Sequence, residues 1–127
     1  MIANFWITES RNQLLSSELS PDKFYSANFV KISIVFKKPI ESCKIHELQT
    51  NLIERSGFNP MRSVTFFCLS IGQKCITYIP TQKMYYKLSL SNFNAPVFNV
   101  RCIDTGEQID VKEISVQLEI RETNGWF

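Results

Sequence analysis

Strict alternation of apolar and polar residues is the feature that most constrains what this chain can fold into. In "ISVQLEIR", residues 114–121, every second side chain from Ile114 to Ile120 is apolar, and the side chains between them are polar or charged. Successive side chains of a β-strand point to opposite faces of a sheet. The segment is therefore predicted to be a strand with one face in a core and the other in water.

Three further segments alternate in the same way: "VKISIVFK" (residues 30–37), "MYYKLSL" (84–90) and "VFNVRCI" (97–103). Each is predicted to be a strand, and turn-forming residues such as Pro80 separate them. The side chains predicted to point inward are Val30, Ile32, Ile34 and Phe36, then Met84, Tyr86, Leu88 and Leu90, and finally Phe98, Val100 and Cys102.

The segment "SVTFFCLSI" (63–71) is apolar on both faces, which predicts a central strand covered on both sides. Gly72 follows it at a predicted turn, and "CITYI" (75–79) is predicted to return beside it as a hairpin partner. In such a hairpin Cys68 and Cys75 could face one another across the two strands.

One segment departs from the two-residue pattern. In "SCKIHELQTNLIERSG" (42–57), Ile45, Leu48 and Leu52 have helical spacing, with Gly57 as a possible stop. The same residues could form a strand over "CKIHEL" followed by a short helix or a loop. We favour the strand, so the whole pattern predicts an all-β protein, a single antiparallel β-sandwich with at most one short helix around residues 42–56.

The chain of 127 residues is the size of one domain. Within it, residues 21–127 are predicted to form the sandwich. Residues 1–20 contain a predicted strand, "ANFWIT", and then a polar stretch rich in Ser, Asn and Gln. We expect this N-terminal segment to be a strand or arm rather than part of the core.

Charge and targeting patterns limit the possible partners and locations. The net charge is +2 and the basic residues are scattered singly apart from the pair Lys37 and Lys38, so nucleic acid is not an expected partner. No apolar run approaches the length of a signal peptide or of a membrane span, so no membrane association is expected. An intracellular location follows as the expectation, with the four cysteines reduced.

The triplet Asp104-Thr105-Gly106 is the one that carries the catalytic carboxylate of aspartic proteases. Those enzymes need two such carboxylates, so a chain this short would have to dimerise. In the retroviral-type enzymes the triplet lies near the start of the chain, whereas here only residues 105–127 follow Asp104, and Glu107 replaces the small residue usual after the glycine. Asp and Gly are favoured turn residues, so we predict a turn between two strands.

The other chemical motifs are also incomplete. His46-Glu47 begins like the zinc motif H-E-x-x-H, but Thr50 occupies the position of the second histidine. The four glycines are isolated, so no phosphate-binding loop is present. No catalytic, metal-binding or cofactor-binding residue is predicted, and we expect a protein that is not an enzyme.

Aromatic residues near both termini are the remaining signal: Phe5, Trp6, Trp126 and Phe127. Aromatic side chains are favoured anchors of protein interfaces, so these four are candidates for an oligomer interface. Because Trp is highly buried on average, the alternative is that they close the ends of the same sandwich.

Two stretches resemble a known family. "FYSANFVKISIVFKKPI" (24–40) and "APVFNVRCIDTGEQIDVKEISVQLEIRE" (95–122) are similar to the opening strand and the closing hairpin of small jelly-roll structural proteins from the Maverick/Polinton, adintovirus and virophage group of DNA viruses. The middle of the chain has no counterpart in that resemblance.

The resemblance implies a jelly-roll-like minor capsid or penton-type protein. Such a protein would be a non-enzymatic subunit of a viral shell or fibre that assembles with itself, as a trimer or pentamer, and contacts other capsid proteins. It would be found in the virion or in the host-cell interior. The alternative function is a receptor- or glycan-binding β-sandwich head that forms a small homo-oligomer, with exposed loops as its recognition surface.

Overall fold

A computed structural model describes residues 2–8, 11–14, 19–20, 22–40, 45–53, 62–67, 72–93 and 95–123. For residues 11–14 and 62–67 it describes the backbone and its strand pairing but not the side chains. Within these ranges the protein is all-β, as predicted, and its only helix is a short 3₁₀ turn over Leu90–Asn92. No helix among these residues is long and apolar enough to cross a membrane. The strands are β1 (Ile2–Thr8), β2 (Arg11–Leu14), β3 (Phe24–Phe36), β4 (Ile45–Thr50), β5 (Arg62–Phe67), β6 (Cys75–Tyr78), β7 (Tyr85–Lys87), β8 (Phe98–Cys102), β9 (Gln108–Ile109) and β10 (Val111–Thr123).

The strands form two antiparallel sheets that pack against each other. One sheet has the order β2-β1-β10-β3-β6, with β7 also paired to β3, and the other has the order β5-β4-β8-β9. The chain changes sheet between β3 and β4, between β5 and β6, between β7 and β8 and between β9 and β10. This repeated crossing makes the sandwich jelly-roll-like rather than a simple up-and-down arrangement.

Alternation in the sequence predicted the core faces of two strands correctly. The inward residues of β10 and β8 are buried, and they belong to one continuous apolar cluster apart from the buried Cys102. Across the sandwich, the ring of Phe5 on β1 contacts Phe98 on β8 with a centroid distance of 6.1 Å. The buried residues of these two strands are Ile114, Val116, Leu118 and Ile120, and Phe98, Val100 and Cys102.

A β-bulge in β3 changes which side chains of that strand face the core. Its pairing with β10 shifts between Gln117 and Leu118, which leaves Val30 as the extra residue. A bulge moves the alternation by one position. Phe29 and Ile32 are therefore both buried although they are three residues apart.

The predicted hairpin of residues 63–71 and 75–79 is wrong. β5 is at the edge of its sheet rather than at its centre, and β6 pairs with β3 in the other sheet. Before β6 the chain is held against the end of β3, where the Gly72 amide donates to the Ile40 carbonyl at 2.6 Å and the Phe36 amide donates to the Lys74 carbonyl at 2.7 Å. Local apolar character could not reveal this change of sheet.

The inward prediction for Met84 is also wrong. β7 begins only at Tyr85, so Met84 lies in the connection before it and is 54% exposed. Leu88, from the same segment, is buried as predicted. The favoured strand over residues 43–48 is confirmed in its described part by β4, which alternates from Ile45 to Thr50 in place of the helical alternative.

The N-terminal strand is present, but it belongs to the sandwich rather than to a separate arm. All seven residues of β1 pair with β10, and β2 pairs with β1 on its other side. Ala3 and Phe5 are buried in the common core.

Two of the cysteines lie among the described residues. Cys75 on β6 is exposed and carries a free thiol, so it is not bonded to Cys68, which lies outside the described residues. Cys102 on β8 is buried. Sequence spacing alone cannot show which sulfurs come within bonding distance.

Candidate functional site: an apolar edge of the six-stranded sheet

Two of the four aromatic residues predicted to form an oligomer interface lie among the described residues, and the structure gives them different environments. Phe5 is only 1% exposed and packs edge-to-face on Phe93 at 5.4 Å, so it is a core residue. Trp6, the next residue of β1, is half-buried and borders a depression on the outer face of the sheet. Trp126 and Phe127 lie outside the described residues. Of the two described residues, only Trp6 is available to a partner.

The Asp104-Thr105-Gly106 triplet forms the turn between β8 and β9, as predicted. The Gly106 amide donates to the Cys102 carbonyl and the Cys102 amide donates to the Glu107 carbonyl, each at 2.8 Å. Gly106 has a φ of +73°, a left-handed conformation that glycine adopts without strain. Asp104 is exposed at the tip of this turn.

His46 is fully buried at the bottom of a cleft of about 420 Å³ at the same end of the sandwich. Desolvation lowers the pKa of the imidazole, and the nearby Asp104 carboxylate partly raises it. The cleft rim carries both signs of charge, from Lys37 and Lys38 and from Glu107 and Asp110. Within the described part of the chain, no three His, Cys, Asp or Glu residues are grouped so that they could hold a metal ion.

The most exposed apolar side chains lie elsewhere, at one edge of the six-stranded sheet. Among the described residues, Ile79 at 63% and Met84 at 54% are the most exposed large hydrophobic side chains. They flank the connection between β6 and β7, the two short strands that form this edge. We call Tyr78, Ile79, Met84 and Tyr86 the edge patch.

The bulge at Val30 explains why this edge is divided. β6 pairs with residues 32–35 of β3 and β7 pairs with residues 26–28, so the connection between them passes the bulged stretch. Pro80 lies in this connection and has no amide to donate to a ladder. Short edge strands, a bulge and a proline all oppose indefinite strand addition at an edge. The edge therefore favours a contact made by side chains.

Met84 is held in place rather than left loose on the surface. Its backbone amide donates to the Asn28 side-chain oxygen at 3.2 Å, and the Tyr86 hydroxyl donates to its sulfur at 2.9 Å. The Tyr86 ring in turn contacts Phe29, with a centroid distance of 6.1 Å. The edge patch is thus continuous with the core of the sandwich, and ordering it on binding would require little loss of side-chain freedom.

Charged residues border the edge patch on the outer face of the sheet. The Tyr85 hydroxyl donates to the Glu119 carboxylate, which also accepts from Lys83 at 3.5 Å. The guanidinium of Arg121 lies 3.8 Å from the centroid of the Tyr85 ring. An apolar centre with a polar and charged rim is the usual composition of a protein interface.

Sequence reasoning missed this edge patch because it treated Met84 as an inward residue of a continuous strand. The available signal was the segment "YIPTQKMYY", in which Pro80 follows an apolar residue and interrupts the strand pattern. Apolar residues on either side of such a break are not required to keep the inward alternation.

No protein-family model matches this chain, and no curated protein or solved structure is significantly similar to it. The edge patch is therefore interpreted from its own geometry.

Proposed function

We propose that this protein is a non-enzymatic structural subunit of a viral shell or fibre, which assembles with copies of itself and contacts other shell proteins. The observation that carries the proposal is that Ile79 and Met84, the most exposed large apolar side chains of the described residues, lie at the two ends of one connection at a sheet edge, with the Lys83–Glu119 ion pair nearby. The viral part rests on the resemblance of residues 24–40 and 95–122 to small jelly-roll capsid proteins, and so does the proposed location in the virion or the host-cell interior.

A second copy of the chain is the proposed occupant of the edge patch. The six-stranded sheet has two different edges, β6 with β7 on one side and β2 on the other. If the edge patch of one subunit contacts the β1–β2 edge of the next, the contact is head-to-tail, and such contacts close into rings when the rotation allows it. Trp6 lies one strand in from that second edge, on the outer face of the sheet and outside this contact, and Phe5 lies in the core.

The expected energy of the contact is concentrated in two side chains. Fully burying an Ile or a Met side chain stabilises a contact by about 1.5–3 kcal/mol. Interfaces commonly depend on a few such residues surrounded by contacts of small effect. Replacing either Ile79 or Met84 by a charged residue would bury a charge in the contact, so one substitution is expected to weaken the assembly strongly.

Light scattering after size exclusion tests this proposal. Wild-type protein is expected to elute as a trimer, a pentamer or a larger particle, and Ile79→Asp is expected to elute as a monomer with an unchanged circular dichroism spectrum. The matched control is Ile103→Asp, which changes another exposed isoleucine in the distant β8–β9 turn and is expected to keep the wild-type mass. A wild-type monomer, or an Ile79→Asp oligomer of unchanged mass, would contradict the proposal.

A further inference from the structure

A shallow trough with both apolar and polar lining crosses the outer face of the six-stranded sheet. It has a volume of about 500 Å³. Strands β1, β10 and β3 are adjacent here, so their outward side chains form its walls and floor. The outer-face trough is lined by Asn4, Trp6, Lys31, Ser33, Ser115 and Gln117, together with the buried residues Phe5 and Val116.

Strand register places the small side chains of the trough side by side. Trp6 is directly opposite Ser115 on β10, and Ser115 is directly opposite Ser33 on β3. Side chains directly opposed in this way have their Cβ atoms about 5 Å apart. The row therefore has the large Trp6 ring at one end and two serines as its floor.

The neighbouring row supplies longer side chains that form one wall. Asn4 is opposite Gln117, and Gln117 is opposite Lys31. The side-chain amides of Asn4 and Gln117 therefore lie beside the two serines, and the Lys31 ammonium lies at the β3 end of this second row. Lys31 is exposed and makes no ion pair with any residue in the described ranges.

The chemistry of this lining matches a polyhydroxylated ring. Serine hydroxyls and the amides of Asn and Gln both donate and accept hydrogen bonds, so they can pair with hydroxyl groups of either polarity. The flat apolar face of Trp6 can cover the C–H face of a pyranose ring. The Lys31 ammonium, which has no ion-pair partner among the described residues, complements one negative charge. A groove with mostly neutral hydrogen-bonding groups and one cation fits a saccharide that carries a single carboxylate.

We propose that the outer-face trough binds an acidic saccharide, with its ring on Trp6 and its carboxylate at Lys31. The site lies on a sheet face rather than on the exposed loops that a glycan-binding head was expected to use. It is also separate from the edge patch. It goes beyond the proposed structural role, because a monomer would present it as well.

Other ligand classes fit the trough less well. A nucleic acid would require several cations along its backbone, and only Lys31 is available among the lining residues. A peptide strand binds by adding to a free sheet edge, whereas β10 is already paired on both sides with β1 and β3. An open groove also covers less of its ligand than an enclosed pocket, so weak binding by each subunit is expected, and an assembly would strengthen it by multivalency.

The test uses the full chain and nuclear magnetic resonance of its two Trp indole N–H groups, assigned with Trp126→Phe. Titration with glucuronic acid is expected to shift the Trp6 signal progressively to saturation, and glucose is expected to shift it more weakly. Lys31→Gln is expected to remove the preference for the acidic sugar but keep binding. Lys87→Gln, which removes an exposed cation from β7 of the same sheet, is the matched control and is expected to behave as wild type.

A second variant distinguishes site loss from misfolding. Ser115→Leu fills the floor of the trough and is expected to abolish the Trp6 shift while the dispersion of the backbone amide spectrum is retained. No Trp6 shift with either sugar would overturn the proposal, and so would an equal shift with acetate alone. A persisting shift in Ser115→Leu would overturn it too. None of these three results depends on the oligomeric mass, so failure here is separate from failure of the proposed assembly.

Discussion

The imidazole of His46 and the ring of Phe36 lie 5.6 Å apart, centroid to centroid, and they connect the two sheets at the cleft end of the sandwich. His46 is on β4 and Phe36 ends β3, and both side chains are buried. An aromatic pair at this position contributes to sheet packing only while the imidazole can remain uncharged, because a buried charge is costly.

This relationship predicts that acid destabilises the fold. Burial lowers the pKa of His46 from its usual 6.5, more than the Asp104 carboxylate raises it, so the unfolded chain binds a proton at a higher pH than the folded chain. The stabilisation is complete above pH 6.5 and is lost as the pH falls below 6.5 towards the lowered pKa. Urea unfolding as a function of pH measures it.

His46→Leu should remove this slope, since His46 is the only histidine in the chain. Asp104→Asn should widen the pH range below 6.5 over which stability is lost, because it removes the carboxylate that raises the pKa of His46. If His46→Leu kept the same loss of stability below pH 6.5, the explanation would be wrong.

Phe5→Ala is expected to destabilise the fold by about 3–5 kcal/mol, the usual cost of truncating a buried Phe. Phe5 contacts Phe93 and Phe98 in the core, whereas its neighbour Asn4 points to the outer face. Asn4→Ala is the control and should change the free energy of unfolding by less than about 0.5 kcal/mol, as for most surface substitutions. Equal effects of the two substitutions in chemical denaturation would indicate that β1 is a detachable arm.

Gly106→Ala tests the turn that contains the Asp-Thr-Gly triplet. Nothing lies within 4 Å of an added Cβ at this position, so the only penalty comes from the φ of +73°. We expect a loss of about 1–2 kcal/mol for Ala. Asn tolerates this conformation better, so Gly106→Asn should lose less. Thermal or urea unfolding ranks the three proteins, and a variant with Ala as stable as wild type would contradict the turn geometry.

The pKa of Tyr85 is expected to lie above its ordinary value. Its hydrogen bond to the Glu119 carboxylate is the main cause that raises its pKa, and Lys83 acts in the opposite direction. Glu119→Gln should therefore move the pKa of Tyr85 back towards 10, whereas Lys83→Gln should move it further up. Nuclear magnetic resonance of labelled tyrosine ring carbons follows each residue, and a shift of the same sign in both variants would disprove the assignment.

The regular strands were predictable because their burial follows a local two-residue rule. β8 obeys it along its whole length, and β10 obeys it from Ile114 to Ile120. The rule failed where pairing between strands distant in the sequence decides which side chains are buried. The bulge at Val30 reverses the alternation of β3, and the burial of Phe5 depends on β1 pairing with a strand more than a hundred residues later.

The candidate site was less predictable than the fold for the same reason. Ile79 and Met84 are exposed because β6 and β7 leave β3 uncovered between their pairings, which no local pattern reveals. The row of Trp6, Ser115 and Ser33 likewise comes from three strands far apart in the sequence. The predicted turn at Asp104 was correct because Asp and Gly favour turns by their own backbone preferences.

The measurement that tests the central claim most directly is sedimentation velocity of the wild-type protein over a wide range of concentration. Self-assembly through the edge patch predicts one discrete species heavier than a single chain, which dissociates on dilution and is absent from Ile79→Asp at every concentration. A wild-type protein that sediments as a single chain at all concentrations would contradict the proposal that this sandwich is an assembling structural subunit.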